Sequence, residues 1–257
     1  MLRSAVIGVL ALILLSFGGF AYRVLSIDLE RPDTLSVHEQ SIAFDRTAQP
    51  IALGETNVVL IIACTLRKDR LELYGYDRPT SPFLELWSEH AITFDAHVSQ
   101  APWTRPSIGS IITGRYPRVL KLDNPNASRS FRMVLKDEFV TAAEVFQSKG
   151  YHTIGAVGNP NAKIRFGLGQ GFNHYNEPDK TFKKHVELPS GGDLVDDVLS
   201  QTKELDRPFF AQVVFVDSHL PVQAPLHFQA LFRGERKRLR EYDASVRKLD
   251  GHIADSG

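Results

Sequence analysis

A single cysteine, Cys64, is the scarcest chemistry in these 257 residues. One thiol excludes an internal disulfide and offers no CxxC pair for a zinc or redox site. Net charge is lacking too, since 30 Lys plus Arg balance 30 Asp plus Glu. No global field draws in nucleic acid, and an anionic ligand must be held by local groups. Internal repeats and low-complexity tracts are also missing. The hydrophobic fraction of 43% and charged fraction of 23% are those of an ordinary globular chain, which excludes disorder over most of the length.

What is present begins at the N-terminus. The run Ser4 to Tyr22 carries no charge and is bounded by Arg3 and Arg23. At about 1.5 Å per residue it spans a bilayer's hydrocarbon core, so residues 4–22 read as one transmembrane helix or signal anchor. Arg3 favours a cytoplasmic N-terminus and a domain on the far side, periplasmic or extracellular. The alternative is a cleaved signal peptide, with Gly19-Phe20-Ala21 as a small-x-small site. Residues 23–55 are polar and mixed and read as a tether; residues 56–257 read as the folded domain.

Within that domain Asn57 to Ala63 (NVVLIIA) is a β-branched run, apolar at both parities, which predicts a central strand buried on both faces. Pro208 to Val216 and Thr153 to Val157 predict two more strands, and helices are expected over Ser81–His90, Thr141–Lys149 and Gly192–Leu205. Gly150 sits where the helix from Thr141 needs a C-terminal cap. Arg233 to Arg240 reads as a solvated helix face. Alternation of buried strands with helices implies a layered α/β domain, whose ligands sit beyond the C-terminal strand ends. The residues there are Cys64 to Arg67, Gly158-Asn159 and Asp217 to His219.

Five stretches then carry a resemblance. Asn57 to Leu71 with Tyr74-Gly75-Tyr76 and Thr80-Ser81-Pro82 is similar to the pattern NVVLIVxDTLRxDxL, YGY, TSPxLD. Ser99 to Pro117 is similar to the nucleophile segment C/S/T-x-P-S-x-x-S-L-x-T-G. Phe166 to Tyr175, Asp217 to Pro221 (against D-P-H-x-P) and Tyr242 to Ile253 (against YDxxVxxVDxxIG) follow in consistent order. On these motifs the chain resembles the sulfatases of the alkaline-phosphatase superfamily.

The resemblance implies a three-layer α/β/α sheet domain and metal-assisted cleavage of a sulfate or phosphate ester. It puts the nucleophile position at Thr104, also a metal-site residue, and the substrate oxyanion or leaving group beside His219. Asn159 lies near the place of the family's substrate-binding lysine, which has no counterpart. Threonine cannot become formylglycine, and Ile108 replaces the arginine of that motif. A plain threonine resembles instead the phosphoethanolamine- and phosphoglycerol-transferase branches. Thr104 is also expected to act as a helix N-cap, with Pro106 in the first turn. Cys64 stands where the family has its first metal aspartate, and reads equally as a small buried hydrophobe or as a ligand for a metal softer than calcium or magnesium. The family's remaining metal ligands follow the helix at 242–253 on a later strand, so the domain is expected to be C-terminally incomplete. The function implied is an ester hydrolase, impaired in this chain, on a glycan, lipid or small-molecule ester. The alternatives are an inactive membrane-anchored binding protein or a phospho-headgroup transferase.

Overall fold

The β-branched and apolar runs form a four-stranded sheet in the order β1-β4-β2-β3. Its strands are β1 Val58–Ala63, β2 His152–Val157, β3 His174–Asn176 and β4 Phe209–Phe215, and every pairing is parallel. Six α-helices lie among the described residues: α1 Pro82–Ser88, α2 Thr104–Thr113, α3 Ala142–Ser148, α4 Gly191–Thr202, α5 Leu226–Ala230 and α6 Lys237–Ala254. This structure is a computed structural model and describes residues 56–123, 133–177, 189–222 and 224–255. They all fall in the unit Ala52–Gly257. The expected anchor at 4–22 and tether at 23–55 lie outside the described residues, among which no helix is long and apolar enough to cross a membrane.

Strand parity sorts the core into two faces. Ile62, Val214 and Val157 pack with Ile108 and Ile112 of α2, while Leu60 and Phe210 meet Ala143 and Phe146 of α3. Ile61, Val213, Phe215 and Ile154 point the other way, onto Leu194 and Val198 of α4, Leu249 and Ile253 of α6, and Phe83 of α1. Helices therefore cover both faces, giving the layers the strand and helix pattern predicted.

One expectation needs correction. In the described sheet β1 is an edge strand and not a central one, and Val59 is 44% exposed. Apolar residues at both parities report apolar neighbours above and below, but not whether a strand continues the sheet sideways. The interior strands are β4 and β2, each buried at every residue after its first.

The helix ends follow local chemistry. Thr141 and Glu144 close a capping box at α3, and Ser190 and Asp193 close another at α4. Gly150, just past α3, has φ +86°, a conformation glycine reaches without strain. The basic cluster splits: its last four residues open α6 and those before it form the approach to it, with Arg233, Arg236, Lys237 and Arg238 exposed.

Candidate functional site

Parallel strands end together, so the residues following β1, β2 and β4 share one edge of the sheet. The ladder extends one step past β1, where Cys64 N donates to Phe215 O at 3.0 Å. It also extends past β2, where Gly158 N donates to Val214 O at 2.9 Å. Gly158 has no room for a side chain: a Cβ would lie 2.8 Å from Val216 Cγ2. The next residue, Asn159, is fully buried. Its Oδ1 accepts from Asn161 N at 2.9 Å, which turns Nδ2 the other way. That amide donates to Thr104 Oγ1 at 3.1 Å and to Cys64 Sγ at 3.5 Å. Three of the expected site residues, from two strand ends and one helix start, are thus joined through one side chain.

Thr104 is the first residue of α2 and not its N-cap; the N-cap is Trp103, with an extended backbone and no side-chain capping bond. Its hydroxyl is consequently not spent on the helix's own amides. It accepts from Asn159 at the positive end of a 10-residue helix, where an oxyanion is favoured. Arg105 follows, 6% exposed, with Nη2 donating to Asn161 Oδ1 at 3.2 Å and its guanidinium carbon 3.4 Å from the centre of the Phe166 ring. Burial pushes its pKa down, with Arg165 adding to the effect.

The loop after β1 is held tightly. Thr65 has φ +62°, which is strained for a β-branched residue. Two bonds secure it: Tyr242 OH donates to Thr65 O at 2.7 Å, and Arg67 N donates to Tyr242 OH at 3.0 Å. Ser218 Oγ donates to Cys64 O at 2.8 Å and so ties the turn after β4 to the end of β1. His219 comes next. Its Nδ1 lies 2.7 Å from Leu220 O. A carbonyl only accepts, so Nδ1 carries the proton and Nε2 the lone pair in the neutral ring. Among the described residues the hydrogen bonds linking Thr104, Asn159 and Cys64 do not extend to His219, which shares their strand edge.

Cys64 is partly buried, and that burial raises its thiol pKa while the Asn159 contact opposes it. A protonated thiol is a poor metal ligand and a poor nucleophile. Because it is the sole cysteine, alkylation reads it directly. Iodoacetamide is expected to modify the native chain slowly at neutral pH, with a rate still climbing above the ordinary thiol pKa where the unfolded chain has levelled off. A native rate that levels off earlier than the unfolded one would mean that the site stabilises the thiolate.

Arg105 and Tyr242 were not among the residues expected here, whereas Ser218 lies in the expected stretch Asp217 to His219. Arg105 carried a legible signal, a lone charge directly before the small and apolar run Pro106 to Ile112. Ser218 and Tyr242 stood in recognised motifs, but their partners, more than 150 residues away in sequence, were not legible there.

The chain matches the family model described as Sulfatase over residues 56–255. It is 26% identical over 249 residues to iduronate 2-sulfatase of Mus musculus, an alignment covering 84% of this chain and 43% of that protein. The chain thus spans less than half of the length of that relative. Two solved structures share the fold: Ps i-CgsB in complex with k-i-k-neocarrahexaose, and the C-terminal periplasmic domain of EcEptC from Escherichia coli in complex with Zn. The first has a TM-score of 0.64 at 15% identity, over 78% of this chain and 54% of the other. The second has a TM-score of 0.61 at 14% identity, over 78% and 58%.

Proposed function

The chain belongs to the sulfatase family, and from that premise we propose that its strand-end site takes a sulfate or phosphate ester and transfers the anionic group to Thr104. The observation that carries this reading is the Asn159 amide bonded at once to Thr104 Oγ1 and Cys64 Sγ. It fixes the threonine oxygen at a helix N-terminus, beside a strand edge, without engaging it as a cap.

Family members use a divalent metal, and such an ion must find its donors at the strand-end site. A hard cation wants several carboxylate or carbonyl oxygens. Among the described residues no three of His, Cys, Asp and Glu come together, and the first position offers the partly buried thiol of Cys64. The described residues do not fit calcium or magnesium, and a softer ion would first have to deprotonate that thiol. The chemistry is therefore written with the chain's own groups. Thr104 Oγ attacks the sulfur or phosphorus, forming one O–S or O–P bond as the ester bond breaks, and its proton passes to a non-bridging oxygen. The electron pair leaves on the alcohol oxygen, which takes a proton from Nε2 of His219 in its imidazolium form. Asn159 and the first amides of α2 hold the anion. Water, or a second alcohol, then releases the group from Thr104; no formylglycine takes part.

The test is a single-turnover experiment with an aryl phosphate and an aryl sulfate. A burst of aryl alcohol matching the protein concentration, with the mass adduct on Thr104, is the expected result; an adduct elsewhere would sink the assignment. A second reading, an ester-binding module without turnover, is favoured by the thiol at Cys64. It predicts binding of inorganic phosphate and no burst.

The same proposal holds the domain outside the cytoplasm on the anchor at 4–22, acting on a glycan, lipid or small-molecule ester, with no nucleic-acid partner. It is supported by the uncharged 19-residue run from Ser4 to Tyr22 and by the balanced charge. The chain is expected to stay in the membrane fraction after a high-salt wash, since screening weakens surface charge and not burial of an apolar helix. Release with a mature N-terminus near Tyr22 would establish the signal-peptide alternative.

A further inference from the structure

On the face covered by α4 and α6, directly behind the site, lies a charged cluster that joins two of the motif stretches, Asp217 from one and Lys248 and His252 from the other. Asp217 follows β4 by two residues and sends its carboxylate inward, leaving the side chain 2% exposed. Oδ1 accepts from Lys248 Nζ of α6 at 2.9 Å and from Gly191 N, at the start of α4, at 3.4 Å. His252 Nε2 is 3.7 Å from the same oxygen. Oδ2 has no hydrogen-bond partner among the described residues. The packing leaves no slack: a Cβ on Gly191 would lie 2.6 Å from His252 Cδ2 and 2.7 Å from Asp217 Oδ2.

Ser190, His252 and Asp217 are the residue types of a hydrolytic triad, but their arrangement is not that of one. Ser190 Oγ at 3.5 Å and Asp217 Oδ1 at 3.7 Å both address Nε2, whereas a triad needs the acid on the opposite ring nitrogen. Ser190 Oγ also accepts from Gly192 N as the helix cap. Nor is the pair needed for cohesion. Burying two charges costs desolvation that their attraction often only offsets, and an apolar pair of like volume would hold the layers as well. What an ion pair adds is direction. The residues after β4 divide by that direction: Asp217 inward to the two helices, Ser218 sideways to Cys64 O, and His219 on the site edge.

We propose that Asp217 and Lys248 are positioning residues, whose buried ion pair on the α4 N-terminus sets the turn at 216–220 so that Ser218 and His219 stand at the Thr104 site. This rests on the reading of His219 as the proton donor to the leaving alcohol. Lys248 is the nearer of the two basic groups to Asp217 Oδ1, at 2.9 Å against 3.7 Å for His252 Nε2, and burial pushes the His252 pKa down.

The experiment follows His219 itself in the full chain labelled with ¹⁵N-histidine, its signal assigned by loss in His219→Gln. In the wild type the ring is expected as the Nδ1–H tautomer. Lys248→Met should shift it toward a mixture of tautomers, and Lys248→Arg should restore it. Where transfer at Thr104 is measurable, Lys248→Met should lower kcat on the order of 10–100-fold with little change in KM. If Lys248→Met does not fold, the neutral pair Asp217→Asn with Lys248→Met is read instead. A folded variant that keeps the wild-type tautomer overturns the proposal, whatever its melting temperature. Because this readout needs no turnover, a wild-type chain that shows the tautomer but no transfer counts against the ester-transfer reading alone.

Discussion

Thr104→Ala is expected to abolish the aryl-alcohol burst and the covalent adduct, a loss on the order of 10⁴-fold or more, because the variant has no atom to accept the transferred group. The substitution leaves the backbone of α2 in place, and Trp103 and not Thr104 is the N-cap, so helix stability should change little. Binding of inorganic phosphate should survive, weakened by less than about tenfold, since the helix amides remain. Thr104→Ser should retain part of the burst. Adding calcium or magnesium is expected to produce no appreciable sulfatase or phosphatase turnover in the wild type. A hard cation finds too few oxygens among the described residues, and Thr104 then keeps an alcohol-like pKa. Cys64→Asp supplies one carboxylate and should tighten cation binding without restoring rapid turnover. Turnover that needs calcium or magnesium and disappears in Thr104→Ala would contradict the reading of the donor set. A burst that persists in Thr104→Ala would remove Thr104 from the chemistry altogether.

The largest stability effect is expected at Asp250 of α6. Its carboxylate is fully buried and receives Phe83 N and Leu84 N, both in the first turn of α1, at 3.0 Å each, and Arg247 Nη1 at 3.0 Å. Burial raises its pKa while these bonds pull it back. Asp250→Ala leaves two amide donors with no acceptor, roughly 1–3 kcal/mol for each, so about 2–6 kcal/mol in all. For a domain of this size that corresponds to a fall in Tm of roughly 5–15 °C. Arg247→Ala should cost under about 1 kcal/mol, because its side chain is 31% exposed and the pair is partly screened by water. Thermal unfolding of the two variants checks the contrast. Equal effects would mean that the ion pair and not the helix cap is what Asp250 contributes.

That cap illustrates how the motifs worked. TSPxLD and YDxxVxxVD are almost 170 residues apart, yet Phe83 N meets Asp250 Oδ2 directly. Both stretches were recognisable as strings, and their joint purpose was not. Strands β1, β2 and β4 were legible because burial demands apolar residues, and composition records burial. The edge position of β1 was not, since hydrogen bonds to a lateral neighbour leave no mark on side-chain identity. The start of α2 was placed one residue late in function: Thr104 is a good capping residue by type, but the extended backbone at Trp103 takes the N-cap position and frees the hydroxyl.

By itself the sequence determined the layered α/β class, the strand ends at which the candidate site lies, and the family to which Cys64, Thr104, Asn159 and His219 are referred, because these depend on local pattern and residue type. Only the tertiary structure decided that Asn159 joins Thr104 to Cys64, that burial raises the Cys64 thiol pKa, and that Lys248 pairs with Asp217. Hydrogen-bond direction, desolvation and charge pairing are properties of atoms brought within about 4 Å of each other, and separations of 31, 55 and 95 residues along the chain do not reveal which atoms those will be.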